Sequence, residues 1–141
     1  HIDDLIRYHK KNQDADIILP TLKVKSPGNQ SIIKVVTNKN KEVMYLSRSK
    51  IPFEFKKRIP SFKKHLSIIS FKPEALIEFS KSKQTTIEKI EDIELMRALE
   101  IGLKIKSLEL KGDSFSVDNY EDYLKAKDKM SKDKLFRTYK K

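Results

Sequence analysis

An arginine between two serines is the first group in the sequence whose chemistry suits an anion. The order Ser47-Arg48-Ser49 follows an apolar run, and Ile51-Pro52 then forces an extended backbone. A guanidinium presents a planar fork of N–H donors that matches a carboxylate or a phosphate. The position therefore suits an anion site, although on this segment alone a surface arginine paired with a glutamate is the simpler interpretation.

Four other side chains carry titratable groups that could serve a site. Glu91 and Glu94 are three residues apart in a predicted helix, so they would share one of its sides. His65 directly follows a basic segment, and Asp118 lies at or near the N-cap of a later predicted helix. Each has a structural alternative. The glutamates can pair with cations of their own helix, the histidine can be a hydrogen-bonded structural residue, and the aspartate can simply cap its helix, worth ~1 kcal/mol.

The composition describes a globular chain without cysteine chemistry. The 141 residues are 38% hydrophobic and include no cysteine, which excludes a disulfide scaffold, a thiolate metal site and a cysteine nucleophile. We expect a cytoplasmic protein without a membrane partner, since no apolar run is long enough for a span. The net charge of +11 admits nucleic acid, an acidic membrane surface or small anions as partners. The lysines are spread along the chain, which favours a solvated surface over a nucleic-acid interface.

The hydrophobic pattern predicts an α/β protein with a mixed sheet, in which strands alternate with helices. Its centre is a β-hairpin over residues 33–52 that delivers Arg48. A capping box, Thr85 with Glu88, begins the best-defined helix, which we expect to run to Ile101. The other expected elements are a helix over 1–12, a strand over 15–20 that ends at Pro20, a strand over 65–71, a short helix from Pro73, a C-terminal cap at Gly102, a strand over 104–110, a helix from about Tyr120 to Met130 and a charged tail.

The segment from Phe53 to Lys64 is basic and aromatic and has no regular period. Interleaved phenylalanine and lysine could stack bases, so this is the best candidate in the chain for binding single-stranded nucleic acid. It could equally form a lid over an anionic small molecule. The simplest of the three interpretations is a surface loop that tucks its phenylalanines underneath.

Four segments, in order, resemble the C-terminal half of a 3-deoxy-manno-octulosonate cytidylyltransferase, also called CMP-Kdo synthetase. They are residues 34–36 with 45–52, residues 64–68, Glu88 with 93–102, and residues 116–122. The resemblance covers nearly the whole chain and implies the C-terminal portion of a mixed-sheet, Rossmann-like nucleotidyltransferase fold. It implies an enzyme that transfers CMP from CTP to a 3-deoxy-ulosonic (Kdo-like) sugar acid and releases pyrophosphate, for surface polysaccharide or lipopolysaccharide synthesis. Mg2+ would be the cofactor and a homodimer the assembly.

The resemblance also implies roles for individual residues. Arg48 and His65 correspond to residues of the sugar-acid site, and Glu94 to a helix glutamate that holds sugar hydroxyls. Asp118 corresponds to a metal ligand, a role that suits a carboxylate because hard cations prefer oxygen. Residues 1–141 would form the sugar-acid-binding and dimerisation half, with the nucleotide-binding half absent. We therefore expect this chain alone neither to bind CTP well nor to turn over.

Three positions depart from the family pattern. Ile69 stands where the typical Kdo enzymes have a tyrosine, and Leu95 stands where they have a glutamine. An arginine expected near Phe55 is also missing, and the nearest cations there are lysines. Because lost hydrogen-bonding groups change which hydroxyls a site can read, the substrate can be a different ulosonic acid.

Three hypotheses rank in this order: an enzyme half, a basic module that binds single-stranded nucleic acid through residues 53–64, and a structural dimerisation domain with an inactive site. The first predicts that Arg48, His65 and Glu94 converge on one cleft, with Asp118 at its rim. The second predicts exposed phenylalanines in a basic stripe and binding that weakens steeply with salt, and no such partner is expected under the first. The third predicts the same fold with those groups dispersed.

Overall fold

The structure, a computed structural model, describes residues 1–26, 28, 30–112, 117, 119–133 and 136–139. Within these residues six strands form one mixed sheet, which confirms the predicted α/β class. The elements in chain order are α1 (Ile2–Lys11), β1 (Ile17–Val24), β2 (Lys34–Thr37), β3 (Val43–Ser47), β4 (Phe62–His65), β5 (Ser70–Phe71), α2 (Pro73–Lys81), α3 (Thr86–Glu91), α4 (Glu94–Glu100), β6 (Ile105–Glu109), α5 (Tyr120–Lys132) and α6 (Phe136–Tyr139).

Strand β1 is the centre of the sheet. It pairs antiparallel with β4 and β5 along one side and parallel with β6 along the other. We expected this strand to end at Pro20, which is wrong, because β1 continues to Val24. The Pro20 carbonyl accepts the Leu66 N–H at 3.0 Å, in the gap between β4 and β5. The N–H and C=O of one strand residue point to the same side of the strand. The N–H that Pro20 lacks would therefore point into this gap, where Pro20 pairs with neither β4 nor β5.

Alternate residues of β1 bury the two faces of the sheet. Ile17 and Leu19 pack into a large cluster with the hairpin and with helices α2 and α4. Ile18 lies on the opposite face, where Leu5 of α1 and Ala15 cover it. Burial of this apolar surface stabilises the fold by roughly 25 cal/mol per Å2. It also fixes α4 against β3.

Strands β2 and β3 form the predicted hairpin, and the side chain of Asn38 closes its turn. The Asn38 side-chain oxygen accepts the backbone N–H groups of Asn40 and Glu42, each at 2.9 Å. The hairpin places Arg48 directly after the last residue of β3.

The single strand expected over residues 65–71 is wrong. Strand β4 ends at His65 and β5 begins only at Ser70, and both pair with β1. The residues between them cross the gap opposite Pro20. A β-branched apolar run looks the same in one strand as in two short strands with a connection. His65 therefore closes a strand instead of opening one.

The single helix expected from the capping box to Ile101 is also wrong. The Glu88 carboxylate accepts the Thr85 N–H at 3.2 Å, so the predicted capping box is present. Helix α3 ends, however, at Glu91, and its C-cap residue Asp92 adopts the left-handed conformation with φ 53°. Aspartate is among the few residues that tolerate this conformation. As a result, Glu91 and Glu94 lie on different helices and do not share a helix side.

Gly102 ends α4 as predicted, with φ 87°. The Gly102 N–H bonds to Leu99 C=O at 3.1 Å and the Leu103 N–H to Ala98 C=O at 2.9 Å, which is a Schellman cap. We expect Gly102→Ala to destabilise the protein by about 1 kcal/mol, because an alanine Cβ is strained in this conformation. Gly102→Asn is the control and should cost less. Urea unfolding followed by circular dichroism measures both, and equal stabilities of all three proteins would contradict the assignment.

Helix α5 begins close to where it was expected. Its N-cap is Asn119, whose side-chain oxygen accepts the Asp122 N–H at 2.9 Å. Asp118, which was expected at or near this N-cap, lies outside the described residues. Among the helices that the structure describes, none has the length and apolar character needed to cross a bilayer.

Candidate functional site

Three strands bring the candidate residues to one end of the sheet. Because β2 runs antiparallel to both β3 and β4, its first residue, Lys34, lies beside their last residues. Lys34 pairs with Ser47 on one side and with Lys64 on the other, and the His65 N–H donates to Ile33 C=O at 2.9 Å. We call the group Lys34, Ser47, Arg48 and His65 the sheet end.

Arg48 is held by backbone carbonyls at the C-terminus of α3. Its Nε donates to Glu91 C=O at 2.9 Å, and one terminal nitrogen donates to Asp92 C=O at 2.8 Å. The other terminal nitrogen donates to Gln30 C=O at 3.2 Å. A cation at a helix C-terminus is favoured by the helix dipole and satisfies carbonyls that the helix leaves free. The predicted role of Arg48 in gripping a sugar carboxylate stays a prediction, and its guanidinium also has this structural task.

Glu91 organises the sheet end through hydrogen bonds that were not predicted from the sequence. Its carboxylate accepts the Ser47 hydroxyl at 2.7 Å and the Arg48 backbone N–H at 3.1 Å. The Tyr45 hydroxyl is 3.5 Å away, and burial together with the Glu91 charge raises the pKa of Tyr45. Arg48 and Glu91 thus hold each other through backbone groups, which locks the turn after β3 against α3.

Lys34 adds a buried positive charge that was also missed. Its ammonium donates to Ile32 C=O at 2.6 Å and to Arg48 C=O. Burial lowers the pKa of Lys34, while the Glu91 carboxylate opposes that shift and Arg48 adds to it. The sequence does contain a signal for the burial of Lys34. The residue stands at the start of a β-branched run, and such a position is buried in a sheet. The Glu91 carboxylate thus offsets part of the positive charge that Lys34 and Arg48 bring to the sheet end.

His65 has a buried ring nitrogen at the sheet end that is left without a hydrogen bond. Its Nε2 is buried and has no hydrogen-bond partner among the described residues. Burial lowers the pKa of His65 to about 4, against the opposing effect of the Glu94 carboxylate, so the imidazole is neutral at physiological pH. A buried polar atom without a partner is costly in an empty protein and suits a site where a ligand supplies the missing bond.

The buried histidine predicts an acid-sensitive fold. The folded protein binds the His65 proton only near pH 4, whereas an unfolded histidine binds it near pH 6.5. Because the unfolded state then holds more protons, stability is complete above about pH 6.5 and falls as the pH drops towards 4. Lowering the pH from about 7.5 to about 5 should cost about 2 kcal/mol through this group. Urea unfolding at each pH should show this loss reduced in His65→Gln and kept in His1→Gln; the same loss in both variants would contradict it.

The structure brings some of the predicted site residues together. His65 and Glu94 lie within electrostatic range of each other. Arg48 follows Ser47 of β3 at the same end of the sheet, and strand β2 lies between it and His65 of β4. Asp118, the predicted metal ligand, lies outside the described residues. Within the described ranges no three acidic or histidine side chains form a group that could hold a metal ion. The role of Asp118 as a metal ligand therefore stays a prediction.

Two of the three positions that depart from the family pattern lie in or against the large apolar cluster. Leu95 is buried in that cluster, and Ile69 is half-buried and packs against it. Leucine and isoleucine thus serve the packing of α4 on the sheet, with no polar atom to offer a ligand.

The segment 53–64 matches neither the tucked surface loop nor the nucleic-acid stripe in full, and the interpretation as a lid over an anion stays a prediction. Phe53 is 79% exposed and Phe55 84% exposed, so the interpretation of tucked phenylalanines is wrong for both. Phe62, in contrast, is buried in β4. The stripe of three exposed phenylalanines that a nucleic-acid module predicts is therefore not formed.

Comparison with protein families and curated proteins gives a consistent result. A family model described as "Cytidylyltransferase" matches residues 1–105. A 3-deoxy-manno-octulosonate cytidylyltransferase from Fusobacterium nucleatum is 38% identical over 127 residues, which cover 86% of this chain and 51% of that protein. The enzyme of the same name from Thermodesulfovibrio yellowstonii is 37% identical over 129 residues, with the same coverage. The chain thus spans about half the length of these curated relatives.

A solved structure shows the same fold. CMP:2-keto-3-deoxy-manno-octonic acid synthetase complexed with CTP superposes with a TM-score of 0.85, at 22% sequence identity. The match covers 93% of this chain and 55% of that one. It confirms the predicted nucleotidyltransferase fold.

Proposed function

Because the chain belongs to the cytidylyltransferase family, we propose that it acts in the transfer of CMP from CTP to a 3-deoxy-ulosonic, Kdo-like sugar acid with release of pyrophosphate. The product would feed surface polysaccharide or lipopolysaccharide synthesis in the cytoplasm. The two relatives whose matches cover 86% of this chain are both named 3-deoxy-manno-octulosonate cytidylyltransferase, which supports the proposal.

The observation that carries the sugar-acid assignment is the unpartnered Nε2 of His65. A neutral imidazole can donate to or accept from a sugar hydroxyl without adding charge to the site. Glu94 is exposed at the start of α4 and within electrostatic range of the same ring, so its carboxylate can accept hydroxyl protons. Arg48, at the same end of the sheet, would supply positive charge for the substrate carboxylate.

In the proposed reaction the sugar's anomeric hydroxyl attacks the α-phosphorus of CTP, and pyrophosphate leaves. The sheet end contributes binding and orientation, which hold the hydroxyl in line for attack. Mg2+ is part of the proposal, with Asp118 as one ligand, and would offset phosphate charge when bound. The described residues act on the sugar acid.

We propose that residues 1–141 supply the sugar-acid-binding half of the enzyme and its homodimer contacts, and that CTP is bound mainly by a separate nucleotide-binding half. The match covers 51% of the length of the Fusobacterium nucleatum relative, which supports such a division.

A chimera tests the proposal directly. The matched segment of the Fusobacterium nucleatum relative is replaced by the corresponding residues of this chain, and pyrophosphate release is measured. We expect release that requires both CTP and a 3-deoxy-ulosonic acid. A chimera that folds and binds CTP but releases no pyrophosphate with any ulosonic acid would contradict the proposal. His65→Gln in the same chimera should raise the sugar-acid KM more than the CTP KM.

A further inference from the structure

The loop between β3 and β4 projects a firmly held tip, which we define as residues 53–58. Residues 48–61 have no helix or strand, and a connection of this length usually has a function of its own. The Glu54 carboxylate pairs with Lys50 at 2.7 Å and accepts the Ile59 N–H at 2.8 Å. These contacts close the base of the tip and use its one acidic side chain.

Two phenylalanines stand exposed on this tip. Phe53 is 79% and Phe55 84% exposed, while the flanking Ile51 and Ile59 are half-buried. The Phe55 N–H donates to Phe53 C=O at 3.0 Å, which turns the backbone tightly between the two rings. The isoleucines therefore anchor the loop and the phenylalanines are left in water, an arrangement that marks an interaction site.

Three cations follow the aromatic residues directly. Lys56, Lys57 and Arg58 are all exposed. No ion pair in the described structure joins any of the three to an acidic residue. Glu54 feels the charge of Arg58 at longer range, and the three cations still outnumber this one acid. The tip thus combines exposed aromatic rings with an excess of positive charge, and its partner should be both anionic and able to accept apolar groups.

We propose that the tip docks the protein on an anionic phospholipid surface. The Phe53 and Phe55 rings would insert at the headgroup level, and the three cations would lie against lipid phosphates. This inference goes beyond the proposed transfer reaction and does not depend on it, and it replaces the expectation of no membrane partner. A second copy of the chain would bring the same cations and repel. A single-stranded nucleic acid is favoured by aromatic rings along a basic groove, whereas here the third phenylalanine, Phe62, is buried.

Co-sedimentation with vesicles tests the proposal on the full chain. Vesicles of phosphatidylcholine with phosphatidylglycerol are compared with vesicles of phosphatidylcholine alone. We expect binding to the anionic vesicles only, and a loss of about tenfold in F53S/F55S. The matched control removes two exposed apolar side chains elsewhere, in I77S/I90S, and should bind as the parent does.

A second pair of variants separates the tip from the overall charge of +11. K56Q/K57Q/R58Q should reduce binding to anionic vesicles by at least about tenfold, because each cation near such a surface contributes to adsorption. K81Q/K83Q/K89Q removes the same charge from another surface and should have a much smaller effect. Equal losses in the two triple variants, or F53S/F55S binding like the parent, would overturn the proposal. So would tip-dependent binding of an oligothymidine in fluorescence anisotropy without vesicle binding, which would indicate nucleic acid instead. Circular dichroism checks that each variant is folded.

Discussion

Replacing Glu88 with glutamine is expected to destabilise the protein by about 4 kcal/mol, the largest effect of any single change considered. Glu88 is 3% exposed and lies 3.1 Å from the Arg97 guanidinium, which is 14% exposed. Arg97 also donates to Ser82 C=O at 3.0 Å and lies over the Phe79 ring at 4.2 Å. The pair thus joins the end of α2, the start of α3 and the side of α4. Without the carboxylate, the arginine is a buried charge with no counter-ion.

Glutamine is the informative replacement at this position because its side chain can still accept the Thr85 N–H in the capping box. Any loss in Glu88→Gln then reports the charge pair and not the cap. Glu78→Gln, an exposed glutamate of α2, is the matched control and should stay within about 0.5 kcal/mol of the parent. Urea unfolding followed by circular dichroism gives the free energies. A loss below about 1 kcal/mol in Glu88→Gln would show that the pair contributes little.

The double variant Glu88→Gln/Arg97→Met extends this test. Glu88 Oε1 has no hydrogen-bond partner among the described residues, so the pair is imperfectly satisfied. Replacement of both members of such a pair by uncharged side chains is often close to neutral. We expect the double variant to be more stable than Glu88→Gln alone, and a simple sum of two losses would contradict this view.

Replacing Arg48 with alanine should cost about 3 kcal/mol and should weaken the binding of a 3-deoxy-ulosonic acid by at least about tenfold. The stability loss arises because three carbonyls, those of Gln30, Glu91 and Asp92, lose a charged donor. The loss in binding arises because the turn after β3 loses its lock on α3. Arg48→Lys keeps the charge but cannot reproduce the forked geometry. Its stability and its sugar-acid affinity should therefore lie between those of the parent and of Arg48→Ala.

Arg58→Ala is the control for Arg48 because it removes an arginine from an exposed position. Urea unfolding and calorimetric titration with the sugar acid are measured on each variant. If Arg48→Ala unfolds like the parent, the guanidinium does not stabilise the end of α3. If its sugar-acid affinity is unchanged, Arg48 has no part in the site.

The elements that depend on local sequence could be predicted. The capping box at Thr85, the proline at the start of α2 and the cap at Gly102 each act within a few residues, and all three are present. The hairpin was predictable because its two apolar runs flank a polar turn.

The errors came from interactions between distant segments. The break at Asp92 is stabilised by Arg48, which is 44 residues away in sequence, through the carbonyls at the end of α3. Likewise, Pro20 is tolerated inside a strand only because β4 and β5 leave a gap beside it. Neither partner can be seen in a local pattern.

The candidate site shows the same division. A histidine, an arginine and two glutamates of suitable chemistry could be singled out from the sequence, and the resemblance gave Glu94 its role in holding sugar hydroxyls. The burial of Lys34 and the contacts of Glu91 with Ser47 and Arg48 depend on strand register and on the break in the helix, so neither residue received its role in advance.

The central claim is that the sheet end binds a 3-deoxy-ulosonic acid, and the most direct test is NMR of the His65 imidazole nitrogens during titration with that acid. The account predicts that the Nε2 resonance moves in a saturable way as the unpartnered atom gains a hydrogen bond. Backbone amides of Arg48 and Glu94 should shift with the same affinity. Saturable binding that leaves the His65 nitrogens unchanged and shifts amides elsewhere would contradict the account.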